Sequence, residues 1–192
     1  EDFYISYYEE HSANKNILKF VPASGAATRM FKDLYAFTSV YNGIPYNIDK
    51  DFPSVKTFID NIERFAFYDD LKKVMSEAGM SIEDYLSRAD YASIINCLLS
   101  RHYLAYGILP KALLKFHKYP NGAQTSLAEH FTEAYRYARS KDGSAYIHFT
   151  ISPEHRRNFL EEIRNIRAYY SSFCDVDFHI KLTEQRHYTD II

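Results

Sequence analysis

The stretch Ala145-Tyr-Ile-His-Phe-Thr-Ile151 runs directly into Ser152-Pro153 and then into a segment with Phe159, Ile163 and Ile166 at helical spacing. A short run of aromatic and β-branched residues suits a buried strand. Serine before proline marks a helix start: the hydroxyl can accept from a first-turn N–H, and proline lacks only a donor that the first turn leaves unpaired. A strand feeding a helix this tightly restricts the chain to folds in which helices pack on a sheet.

The same alternation recurs elsewhere. Ile17-Leu-Lys-Phe-Val21 reads as a first strand after an amphipathic opening stretch from Phe3 to Glu10, and Met30, Leu34 and Phe37 give Thr28 to Val40 a helical period. Pro53 opens a helix with Val55, Phe58, Ile59, Ile62 and Phe65 on one face. Ser81 caps another, and Tyr91, Ile94, Ile95, Leu98 and Leu99 form a further stripe. Leu109 to Phe116 reads as extended. Pro120-Asn-Gly-Ala then turns the chain into a helix capped by Ser126, with Glu129 three residues on and Leu127, Phe131, Ala134 and Ala138 facing inward. A last strand alternates Val176, Phe178, Ile180 and Leu182 with Asp177, His179, Lys181 and Thr183, so one of its faces is polar or solvated. Strands separated by helices imply right-handed crossovers, a mainly parallel sheet and ligands beyond the carboxyl ends of its strands.

With 192 residues the chain suits one domain carrying a helical insertion over 41–106. Its opening without Met and its end at Ile192 suggest a piece of something longer. A net charge of −2 gives nucleic acid or an anionic membrane little to attract, and no apolar run approaches the ~18 residues of a bilayer span, so a cytoplasmic location without membrane or nucleic-acid partners is expected. Cys97 and Cys174 lie among apolar or aromatic neighbours and read as small buried thiols. His148 and His155 read as structural or surface residues, and Arg156, Arg157, Arg164 and Arg167 as a solvated helix face.

The chemistry-bearing segment is Pro22-Ala-Ser-Gly-Ala-Ala-Thr-Arg-Met30, between the first strand and the helix after it. Small residues at Ala23 to Ala27 let backbone N–H groups approach an anion at a helix N-terminus. Ser24 and Thr28 add hydroxyls, and Arg29 adds a forked cation suited to phosphate oxygens. The loop lacks the closing Gly-Lys-Ser/Thr of kinase-type phosphate loops and the Gly-x-Gly-x-x-Gly of dinucleotide sites.

Ala23-Ser-Gly-Ala-Ala-Thr-Arg-Met30 followed by Leu109-Pro-Lys-Ala-Leu-Leu114 resembles the signature of sugar-phosphate nucleotidyltransferases, Gly-Gly-x-Gly-Thr-Arg-Met and then Pro-Lys. Ser126-Leu-Ala-Glu-His130, Ser152-Pro-Glu-His155 and Glu184-Gln185 with Thr189 resemble later segments of that family. Over nearly its whole length the chain is also similar to an uncharacterised bacterial family of unknown function that carries Phe20-Val-Pro-Ala-Ser-Gly-Ala-Ala-Thr-Arg-Met-Phe-Lys32.

The resemblance implies a three-layer, mainly parallel α/β fold of the nucleotide-diphospho-sugar transferase (Rossmann-like) type. It implies that Ala23, Ser24, Gly25, Ala26 and Thr28 hold the nucleotide phosphates, that Arg29 and Lys111 neutralise the transferring phosphoryl group, and that Gln185 reads the base with support from Thr189. The expected reaction joins a sugar phosphate to a nucleoside triphosphate with release of pyrophosphate and with Mg²⁺. The family's metal-binding aspartates fall beyond Ile192, so this chain alone is expected to be inactive. The reading of another class is a non-catalytic scaffold that keeps the fold and uses the helical insertion as a partner surface.

Overall fold

The computed structural model describes residues 2–12, 14–40, 47–172 and 174–185. Their elements run α1 (Asp2–Ser12), β1 (Leu18–Pro22), α2 (Lys32–Val40), α3 (Ile48–Asp51), α4 (Pro53–Asp60), α5 (Tyr68–Glu77), α6 (Ile82–Ser87) and α7 (Tyr91–Leu99). They continue β2 (Lys115–Tyr119), β3 (Gly122–Thr125), α8 (Ser126–Tyr137), β4 (Ala145–Ile151), α9 (Arg156–Ser171) and β5 (Phe178–Glu184). The chain divides into two compact units, one of Glu1–Gly25 with Thr125–Ile192 and one of Ala26–Gln124, and the segment 41–106 lies within the second.

The first unit is built on a parallel sheet of order β1-β4-β5, in which Val21 registers with Phe149 and Phe149 with Leu182. The period of two decides which residues are covered. Ala145, Ile147, Phe149 and Ile151 of the central strand are fully buried, and Val21 and Phe178 join them from the edges. The helices α8 and α9 pack against each other, and α8 packs on β4. Their inward stripes, Leu127, Phe131 and Ala134 on α8 and Phe159, Ile163 and Ile166 on α9, are buried as the spacing predicts. On the edge strand Lys19 reaches Glu133 of α8 at 2.5 Å, and His130 lies 3.0 Å from the same carboxylate. Burial acts to raise the Glu133 carboxyl, but the hydrogen bonds from Lys19 and His130 outweigh it and hold the group below the usual carboxylate range.

Parallel sheets ordinarily carry helices on both faces. Here the second face shows Leu18 at 59% and Phe20 at 58% exposure, with His179, Lys181 and Thr183 also exposed. The described part of this unit therefore has a sheet layer and one helical layer, where three layers were expected. The described residues of this unit thus form a parallel α/β arrangement.

Local differences from the sequence reading have identifiable causes. The opening helix α1 has no buried residue, because Phe3, Tyr4, Ile5, Tyr7 and Tyr8 spread around more than half of its circumference instead of forming one stripe. The helix expected from Thr28 begins as a 3-10 turn, Thr28–Phe31, before α2. Leu109 to Phe116 is not continuous strand: Lys111–Leu113 is a 3-10 turn and β2 follows it. Pro120 and Asn121 join β2 to β3, with Gly122 at a φ of 122° that other residues rarely adopt, so this segment makes a two-stranded sheet before the helix. Cys97 is buried as expected, whereas Cys174 is only half-buried.

The cap of α8 is Thr125, one residue before the serine expected to fill that place. Its hydroxyl accepts from Ala128 N at 3.2 Å and donates to Glu162 of α9 at 2.7 Å. Thr125→Val removes both bonds at a buried position and is expected to lower stability by ~1–2 kcal/mol, read by urea unfolding. An unchanged midpoint would show that the cap contributes nothing.

The second unit is mainly helical and has its own core, in which Val55, Leu71, Met75, Ile94, Ile95, Leu98 and Leu114 are inaccessible to solvent. Ser81 caps α6 by accepting from Asp84 N, as the sequence predicts, and Asp90 caps α7 in the same way from Ser93 N. Gly107 is needed for close approach. A Cβ there would lie 1.9 Å from Tyr35 Oη and 2.8 Å from the Leu99 carbonyl oxygen.

Candidate functional site

In the first unit the backbone pairing continues past the carboxyl ends of the strands. Ala23 N donates to Thr150 O at 2.9 Å, and Gln185 N donates to Ile151 O at 2.8 Å. The residues that follow β1 and β5 are thus tied to the end of β4. Ser24 Oγ donates to Gln185 Oε1, joining side chains 161 positions apart in sequence. From β4, Ser152 Oγ donates to the Ser24 carbonyl at 3.2 Å. The edge therefore consists of three strand ends cross-linked by two hydroxyls and an amide.

A 3-10 turn, Pro153–His155, leads from β4 into the 16 residues of α9, so the N-terminus of that helix follows directly on the same edge. Arg156 in its first turn lies 3.5 Å from Glu184 at the end of β5. Hydroxyls, an amide and a helix N-terminus give this edge donors for an oxygen-rich ligand, while Arg156 and Glu184 offset each other's charge. Gly25 is exposed, and a Cβ placed on it would meet nothing within 4 Å, so packing does not demand glycine there. Bare backbone at this position leaves room for a ligand's close approach.

The expected site residues distribute as follows. Ala23 is buried and held through its backbone, Ser24 is half-buried and bonded to Gln185, and Gly25 ends the first unit's opening segment. Within the second unit, Ala26 forms an antiparallel bridge with Pro110, the residue preceding Lys111. Thr28, Arg29 and Lys111 are exposed, and neither cation makes an ion pair among the described residues. Thr189 lies outside the described residues.

Three residues gain roles that the sequence did not disclose. Ser152 reads as a helix cap, yet its hydroxyl makes no cap bond and holds the Ser24 carbonyl instead. The strand-end position before Pro153 was its only local signal. Arg156 pairs with Glu184, and Arg167 donates to the Phe178 carbonyl, so two members of the supposedly solvated arginine face tie α9 to β5. His148 bonds Thr183 at 2.8 Å across the sheet, in keeping with a structural role. No group of three His, Cys, Asp or Glu suited to a metal occurs among the described residues, and no helix there is long and apolar enough to cross a membrane.

A family model described as "Domain of unknown function (DUF4301)" matches residues 1–192. The chain belongs to the DUF4301 family. No curated protein and no solved structure matches it. In this DUF4301 chain the hydrogen-bonded strand ends of the first unit form the candidate site.

Proposed function

We propose that the chain binds a nucleoside triphosphate at the carboxyl edge of the β1-β4-β5 sheet and is a nucleotidyltransferase-like protein whose second substrate is a sugar phosphate. The bond between Ser24 and Gln185 carries this reading. It joins a phosphate-loop residue to the glutamine that the transferase resemblance assigns to the base, and nothing in their sequence separation requires them to meet. The exposed, unobstructed Gly25 adds backbone that a phosphate can approach.

In this reading Gln185 offers its amide to the base, Ser24 and the Gly25 backbone receive phosphate oxygens, and Ser152 fixes the Ser24 carbonyl so that the loop is ordered before ligand arrives. Arg29 and Lys111 are assigned the charge of the transferring phosphoryl group, with pyrophosphate as leaving group, by the resemblance alone. Mg²⁺ is the expected cofactor, and the described residues offer it no acidic cluster.

Of the nucleoside triphosphates titrated with Mg²⁺, at least one is expected to raise the melting temperature. Ligand at 100 times its Kd adds about 2.7 kcal/mol, which amounts to several degrees for a chain of this size. Gln185→Ala is expected to remove the discrimination between bases, and Arg29→Ala to weaken every triphosphate. If none of the triphosphates moved the wild-type transition, the reading would fail.

A further inference from the structure

The second unit contains a cavity of about 370 Å³ unrelated to the nucleotide reading. Its wall is aromatic: the rings of Phe65 and Phe67 stack at 5.2 Å, Phe58 packs on Phe65 at 5.2 Å, and Tyr106 meets Phe67 edge-on at 5.3 Å. An adjoining shallower hollow of about 430 Å³ shares Ser54, Phe58, Arg64 and Phe65, so these residues form the mouth. Phe65 is 37% exposed, which leaves an aromatic ring open to an incoming molecule where packing would normally cover it. The volume falls in the range of small-ligand sites, about 300–1,000 Å³.

The charges on the wall select among aromatic ligands. Asp33 is engaged by the Ser54 hydroxyl at 2.8 Å, and Lys115 is paired with Asp70 at 2.6 Å. Arg64 donates one N–H to Asn61 Oδ1 at 3.0 Å, which orients the guanidinium while leaving the rest of its donor fork for another acceptor. With Lys115 offset by Asp70 and Asp33 already accepting from Ser54, Arg64 is the charge on the wall left with donors to spare.

We propose that this cavity binds a small planar aromatic anion, its ring among Phe58, Phe65 and Phe67 and its anionic group on Arg64. An aromatic cation is disfavoured because it would set its charge against Arg64, while the Asp33 carboxylate is already engaged by Ser54. The site takes the ring by stacking and the charge by a forked hydrogen bond.

The test uses 2-naphthoate and its neutral analogue 2-naphthylmethanol, titrated by calorimetry into the full chain. Wild type is expected to bind one equivalent of naphthoate about tenfold or more tightly than the alcohol, the effect of one charge-assisted hydrogen bond. Arg64→Gln is expected to abolish that preference, weakening naphthoate by a much larger factor than the alcohol. Phe65→Ala is expected to weaken both probes by a similar factor. Arg64 ends a short turn and Phe65 is partly exposed, and matching thermal melts would establish that both variants fold. Absence of saturable binding by both probes, or a preference for naphthoate that survives in Arg64→Gln, would overturn the proposal. Neither result bears on the triphosphate titration.

Discussion

Phe131→Ala is expected to destabilise the first unit by about 3–5 kcal/mol, enough to unfold a marginal domain at room temperature. Phe131 is inaccessible to solvent and lies where α8 meets the sheet, with ring centroids 6.2 Å from Phe149, 6.4 Å from Tyr170 and 5.1 Å from Phe178. Truncation opens a cavity bordered by the central strand, an edge strand and the second helix, none of which can close it alone. Urea unfolding followed by circular dichroism measures the loss. A cost below about 1 kcal/mol would mean that the helical layer does not depend on this contact.

The second large effect concerns pH. Tyr106 is 5% exposed, and burial, opposed by the hydrogen bond its oxygen accepts from Lys115 N and reinforced by Asp70, pushes its phenol from about 10 up to about 12. The unfolded chain loses this proton near pH 10 while the folded chain keeps it. The native state therefore holds more protons between those values, and stability falls as pH rises through that window. The contribution is complete below pH 10. Its loss by pH 12 amounts to roughly 3 kcal/mol, at about 1.4 kcal/mol for each pKa unit. Other tyrosines, among them Tyr68 and Tyr170, are raised too, so the comparison that isolates this one is wild type against Tyr106→Phe at pH 8 and pH 11.5. The variant is expected to be less stable by ~1 kcal/mol at pH 8, where Lys115 N loses its acceptor, and to decline less steeply in alkali. Equal alkaline slopes would contradict the assignment.

What the sequence disclosed follows the range of the interactions involved. The strand Ala145–Ile151, the stripes of α8 and α9 and the Ser81 cap depend on periodicity and near neighbours, and they appear where the residues predict. The β2–β3 pair was concealed because Pro120-Asn-Gly serves equally as a hairpin and as the entry to a helix. The cap fell on Thr125 because two candidate hydroxyls stand side by side, and the Glu162 contact that rewards the first is tertiary. In the candidate site, the loop residues and Gln185 were legible as residue types at suggestive places. The clasp of Ser152 on the Ser24 carbonyl was not, since it depends on strand ends meeting in a parallel sheet. The aromatic cavity of the second unit was equally hidden. Phe58 and Phe65 lie on the stripe expected to be core, but Phe65 remains at the mouth of a hollow.

Nucleotide binding at the carboxyl edge of the first unit's sheet can be probed at Gly25, where added side-chain atoms begin in open space. Isothermal titration of the triphosphate that best stabilises the wild type, repeated on Gly25→Val with thermal melts of both unliganded proteins, separates binding from folding. The expected result is matching melts and an affinity lowered at least about tenfold, because the branched side chain occupies the space through which phosphate reaches the backbone. Undiminished binding by a normally folded Gly25→Val would contradict it.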